Sequence, residues 1–308
     1  MIEFLRNLYL HYQKKIILFL VLVVLIYFIA KNYDDFFTNI NKINWIMVVF
    51  SSLTHLLAII MQIFGWYFLA SKISKDKNFL IHSSIYASSF VSRRIPLGII
   101  WNISSRFLQY KNYFSKKQLS LLVFCEHILI GGAGGLLVFF ILLINQYLVP
   151  NSLRIVLVAI SFILVVFLAG IVLFNSASRS LPHYIEKIAN NFSLFSLKTL
   201  LSSFLFFLTT WILDGLSLYL LLISLDINNS LPFTLGISWL STFVSFWGQF
   251  LPFYVAYKEL ILTLLLSKLS PITTSIFVAI FQRVIHTLTE VILAIILDKL
   301  NKCDITQR

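Results

Sequence analysis

Ionisable side chains inside otherwise apolar runs are the residues of this 308-residue chain whose types and spacing point to chemistry. Glu126 and His127 sit midway along one such run, Asp214 along a second, and Arg283, His286 and Glu290 along a third. On a helix, Arg283 and Glu290 would lie two turns apart with His286 between them, near one face. A charge in hydrocarbon costs roughly 2.5–3.5 kcal/mol even on lenient scales, so such residues mark a transport pathway or a buried pair. These six are expected to form an intramembrane polar network, with Glu126 and Arg283 paired as one structural option.

A second set suits an anion. Arg93 and Arg94 stand just before Pro96 and Gly98, with Arg106 downstream, and Lys258 and Glu259 follow Pro252. Guanidinium groups bind phosphate bidentately, which suits Arg93, Arg94 and Arg106, and Lys258 and Glu259 give the segment after Pro252 its own polar pair; these five are the candidate substrate-binding residues. Arg93 and Arg94 also suit snorkelling to headgroups.

Lipid must be the solvent of the elements that hold these residues. The chain is 59% hydrophobic and 12% charged, about half the charge of an average soluble domain. The hydropathy pattern predicts an all-α polytopic membrane protein, a single membrane domain. It has about six spans, near 16–31, 44–70, 117–145, 152–174, 198–225 and 272–298. The net charge of +12 is spread over loops and helix ends rather than gathered on one face, so no nucleic-acid partner is expected. Arg6, Lys14, Lys15, Lys72, Lys75, Lys77, Arg179 and Lys187 fall on one side of this count. The positive-inside rule then places both termini in the cytoplasm, in the cell membrane. The N-terminus has no cleavable-signal pattern. Cys125 and Cys303 supply neither a disulfide framework nor a metal pair, and no cofactor or metal is expected.

Two stretches, 79–110 and 232–269, are apolar but interrupted by Pro96-Leu97-Gly98 and by Pro252. Their short arms predict two re-entrant, broken-helix hairpins with tips at Pro96, Gly98 and Pro252, because irregular backbone survives at membrane depth only when buried in protein or facing a wet cavity. The stretches repeat one another. Ser88-Ser89-Phe90-Val91-Ser92 matches Ser241-Thr242-Phe243-Val244-Ser245 at all but one position. Glu126 follows Pro96 by 30 residues and Arg283 follows Pro252 by 31. Repeats spanning about 44–150 and 198–298, separated by an odd number of spans, predict an inverted repeat with a site near the midplane.

Ile95-Pro96-Leu97-Gly98, Arg106 and Glu126 in the first half, and Leu251-Pro252, Lys258-Glu259 and Arg283 in the second, resemble the flippase-like membrane domain of lysylphosphatidylglycerol synthases and its stand-alone relatives. The resemblance covers about residues 10 to 298. Phe253-Tyr254-Val255-Ala256 replaces the family's glycines, Lys258 its arginine, and His127 the arginine that often follows the first-half Glu. The resemblance implies movement of an anionic phospholipid or lipid-linked glycan headgroup across the membrane, with membrane lipids as partners. A lipid-modifying synthase or glycosyltransferase acting in trans is the implied protein partner, since no catalytic domain follows Leu300.

Direct ATP hydrolysis is not expected, because no Gly-Lys-Ser/Thr phosphate loop occurs. That leaves a non-enzymatic transporter as the main expectation. Two alternatives stand beside it. Asp34-Asp35 after the first span suits a polyprenyl-phosphate-sugar-dependent membrane glycosyltransferase, and the fold also suits a non-transporting subunit of an envelope-lipid synthase.

Overall fold

The computed structural model describes residues 40–74, 76–92, 98–145, 148–161, 195–227, 229–248 and 257–307. Among the described residues every regular element is an α-helix. In chain order they are α1 (Trp45–Ile73), α2 (Phe79–Ser92), α3 (Gly98–Gln109), α4 (Lys116–Ile144), α5 (Asn151–Ser161), α6 (Leu197–Ser224), α7 (Leu231–Gly248), α8 (Tyr257–Leu266) and α9 (Ile272–Gln307). Four of them, α1, α4, α6 and α9, are long and apolar enough to cross a membrane. The chain is an all-α polytopic membrane protein. The expected span near 16–31 lies outside the described residues, and the one near 152–174 is described only at its start, as α5.

Helix starts follow local chemistry. The Asn44 side chain accepts hydrogen bonds from the Ile46 and Met47 amides, and Ser115 and Gln118 form a reciprocal capping box on α4. These caps satisfy amides that have no partner within the first helical turn. The faces then sort as lipid demands. On α1, Trp45, Ile46, Val49, Phe50, Leu53 and Leu57 are exposed, while Ser51, His55, Ile59, Ile63 and Trp66 are buried. The period is helical, but the outer stripe is apolar and the polar residues point inward, the reverse of a water-soluble bundle.

Lipid gives no hydrophobic drive for one apolar helix to leave it for another, so close packing and buried polar contacts hold the helices together. The glycines of α4 supply the close approach. A Cβ on Gly134 would collide with the Trp211 indole, and one on Gly131 would meet Trp247. Trp211 Nε1 donates to the Ile130 carbonyl at 3.1 Å from the same groove.

The repeat predicted from sequence has a structural counterpart. Each half runs long, short, short, long: α1 to α4, then α6 to α9. In each half the two short helices pack together, α2 on α3 and α7 on α8. Each half's last helix packs on the other half's first short arm, α9 on α2 and α4 on α7. At the centre α1 lies along α6. Asn44 meets Ser224, Ser51 meets Ser217, His55 meets Asp214, and Ala58 meets Thr210. Numbers that rise on one helix fall on the other, so these equivalent helices are antiparallel, as an inverted duplication requires. Gly98 opens α3. The remaining expected tip residues, Arg93, Arg94, Pro96 and Pro252, lie outside the described residues.

Candidate functional site

The antiparallel register of α1 and α6 decides which polar side chains meet. His55 is the eleventh residue of α1, about 15 Å along it at 1.5 Å per residue, and it faces Asp214 on α6. His55 Nδ1 lies 3.0 Å from Asp214 Oδ1. From α9, His286 stacks on His55, with ring centroids 3.4 Å apart and planes 7° from parallel. His286 Nδ1 lies 3.7 Å from the same Asp214 oxygen, and Glu290 Oε1 lies 3.9 Å from His55 Nε2. From α8, Lys258 Nζ reaches Asp214 Oδ2 at 3.3 Å. Two carboxylates, two imidazoles and one ammonium thus converge from four helices.

These five residues line a cavity of about 220 Å³. Its other walls combine apolar side chains, among them Ile59, Phe90, Ile130 and Phe246, with the amide of Gln62 and with Thr242 and Ser245 from the Ser-rich repeat. The Lys258 side chain is 24% exposed, so its ammonium can reach a ligand in the cavity. The volume suits a phosphate-sized headgroup with a few waters and leaves no room for acyl chains, which stay in lipid. His55, Asp214 and His286 each offer a donor atom, all within 4.8 Å of one another. Both Nδ1 atoms face the same Asp214 oxygen, an arrangement that can hold a proton among the three groups.

A second cluster is closed. Arg106 on α3 is 2% exposed and Glu126 on α4 is 1% exposed, and the two form an ion pair. Tyr86 donates to the other Glu126 oxygen, and Arg106 Nε donates to Ser89 Oγ at 3.1 Å. The guanidinium lies 4.4 Å from the Tyr86 ring centroid and 4.7 Å from that of Trp66, a cation–π setting. Asn102 ties α3 to α2 by donating to the Ser89 carbonyl at 2.7 Å. A third contact joins α8 to α9, with Arg283 donating to Glu259 at 2.7 Å.

The expected single network therefore separates into distinct groups. Asp214, His286 and Glu290 meet around the cavity, joined by Lys258 and by His55. The expected Glu126–Arg283 pair is corrected, because Glu126 pairs with Arg106 and Arg283 with Glu259. In both halves the second hairpin arm is pinned to the following long helix, with the signs exchanged. Arg106, expected as a phosphate contact, is buried with one terminal nitrogen on Glu126 and Nε on Ser89. Adjacent Lys258 and Glu259 part company because successive helical positions point about 100° apart. His127 lies over its own helix, with Nδ1 2.7 Å from the Val123 carbonyl and its ring near Phe246. His55 was missed, although a titratable residue inside an apolar run was the signal used for the others.

The paired arrangement of α8 and α9 makes a first prediction. Reversing Glu259 alone, Glu259→Arg, should lower thermal stability by about 1–3 kcal/mol, and the exchange Glu259→Arg with Arg283→Glu should restore most of it. Denaturation in detergent checks this, and a double variant no better than the singles would refute the pairing.

A family model described as the lysylphosphatidylglycerol synthase TM region matches residues 15–294. No curated protein and no solved structure matches the chain.

Proposed function

Because the chain belongs to the lysylphosphatidylglycerol synthase TM region family, we propose that it moves the anionic headgroup of a membrane lipid, a phospholipid or a lipid-linked glycan, between leaflets. The observation that carries this reading is the cavity, whose reachable cation, Lys258, stands in a polar niche backed by the apolar side chains of Ile59, Phe90, Ile130 and Phe246. A headgroup crossing hydrocarbon needs a polar, hydrated niche for its phosphate while its chains remain outside. Broken helices from both halves reach that niche, Phe90 from α2 and Lys258 from α8. Helices interrupted at a midplane site are the common device of inverted-repeat transporters.

Lys258 is the phosphate contact in this reading. Arg93 and Arg94 keep their sequence-based role as the first contacts at the cytoplasmic mouth, and the protein works in the cell membrane with cytoplasmic termini. The glycosyltransferase alternative rests on Asp34 and Asp35, which lie outside the described residues.

The test is transbilayer movement of fluorescent phosphatidylglycerol, and of a polyprenyl-phosphate glycolipid, in vesicles holding the purified protein. Wild-type protein should move at least one of them, and Lys258→Gln should slow that movement at least ten-fold, equivalent to about 1.4 kcal/mol. Movement unchanged in Lys258→Gln would remove Lys258 from the path. A folded wild type that moves neither lipid would overturn the transport reading.

A further inference from the structure

We propose that His55, Asp214 and His286 form a binding site for one zinc-class divalent cation, which takes the lipid phosphate as its fourth ligand. The metal site stands on the geometry of the three side chains; only its phosphate ligand rests on the lipid-transport reading.

The donor atoms have the spacing that an ion requires. Zinc held tetrahedrally at about 2.1 Å sets neighbouring ligand atoms roughly 3.4 Å apart. Asp214 Oδ1 lies 3.0 Å from His55 Nδ1 and 3.7 Å from His286 Nδ1, and the three donors fall within 4.8 Å of one another. The stacked rings are 7° from parallel, and a turn of each about its Cβ–Cγ bond aims both lone pairs at one ion. The ligand set holds no sulfur, which is why Cys125 and Cys303 gave no sign of it.

Hydrogen bonds favour the tautomers that ligation needs. The Ser217 hydroxyl donates to the Ser51 carbonyl at 2.9 Å, so its lone pairs are left to face His286 Nε2 at 3.4 Å, and that nitrogen carries the ring proton. His286 Nδ1 is then a lone pair turned to a carboxylate oxygen, two acceptors with a place for a cation between them. His55 is caught the other way. While its Nδ1–H donates to Asp214, its Nε2 is a buried acceptor with no hydrogen-bond partner, and it faces another acceptor, Glu290 Oε1, at 3.9 Å. A metal on Nδ1 resolves this, because the ring then carries its proton on Nε2 and presents it to Glu290. A carboxylate and a hydroxyl behind two imidazoles are the outer partners that orient histidines on a metal.

Imidazole and carboxylate ligands suit zinc, and three protein ligands leave its fourth position open. Lys258 Nζ lies 3.3 Å from Asp214 Oδ2, the oxygen that the ion does not take. A phosphate in the cavity then meets the ion through one oxygen and the Lys258 ammonium through another.

The experiment is zinc binding to the full chain in detergent, stripped with EDTA and free of any affinity tag, with bound zinc measured against a competing chelator. Wild type is expected to bind one zinc per chain, and His55→Gln and His286→Gln each to weaken binding by about ten-fold or more. Cobalt in place of zinc should give visible d–d bands; a thiolate band overturns the ligand assignment. Folded wild type that binds no zinc overturns the proposal, and so does zinc held as tightly by both variants. If the variants do not fold, X-ray absorption at the zinc edge of wild type decides: two imidazoles around the ion support the site, and fewer overturn it. Movement of fluorescent phosphatidylglycerol in vesicles tests the fourth ligand. Movement unchanged by EDTA takes the ion out of the lipid path, whereas zinc bound by protein that moves no lipid overturns the lipid reading and leaves the metal site standing.

Discussion

Arg106→Gln is expected to destabilise the protein by about 3–5 kcal/mol, because it leaves Glu126 as an uncompensated charge in a buried pocket. That is a large part of the roughly 5–15 kcal/mol that separates folded from unfolded states in most domains. The loss is compounded. The guanidinium also fills the space beside Trp66 and Tyr86 and donates to Ser89, so α1, α2, α3 and α4 all lose a shared contact. Removing both charges together is a different matter. Arg106→Leu with Glu126→Leu leaves no stranded ion, although Tyr86 loses its acceptor, and it should recover more than half of the lost stability. Thermal unfolding followed by size-exclusion chromatography in detergent measures both variants. A single variant as stable as wild type would show that water reaches the pocket. A double variant worse than the single would show that the arginine serves more than its partner.

Asp214→Asn should have the opposite profile, a small change in stability and a loss of lipid movement of ten-fold or more. Asparagine keeps the shape and can still meet His55, but it offers Lys258 no charge and gives the two imidazoles a neutral amide in place of a carboxylate. In the lipid-transport reading Lys258 must have a partner when no headgroup is bound, and Asp214 is that partner. Without it, the ammonium either holds the phosphate too long or is no longer oriented into the cavity. Movement of fluorescent phosphatidylglycerol in vesicles, scored beside a melting curve of the same preparation, separates the two effects. Wild-type movement in this variant would place the path elsewhere in the fold.

The architecture was legible because lipid imposes a simple rule on sequence. Long apolar runs became α1, α4, α6 and α9, and the proline-interrupted runs became the paired short helices. Thr242 and Ser245 of the Ser-rich segment line the cavity. Partner choice was another matter. Spacing says that Glu126 and Arg283 both lie inside apolar helices, but which charges meet depends on how the halves interlock. The tight α3–α4 and α8–α9 contacts give each charge a nearer partner on the preceding hairpin arm. His55 escaped because nothing nearby in sequence suggested company. Its partners are 159, 231 and 235 residues away, on helices that only the folded packing brings beside it.

The two ion pairs have a consequence for how this protein is made. Arg106 and Glu126 lie 20 residues apart and Glu259 and Arg283 lie 24 apart, so each pair closes within a single half. During synthesis, where segments fold in the order they emerge, the first half can neutralise its own buried charges before the ribosome has produced the second. The histidine cavity has no such early form. Asp214 arrives long after His55, and His286 and Glu290 arrive last, so the membrane receives two halves whose Arg106 and Arg283 are already paired and gains a working centre only when they dock.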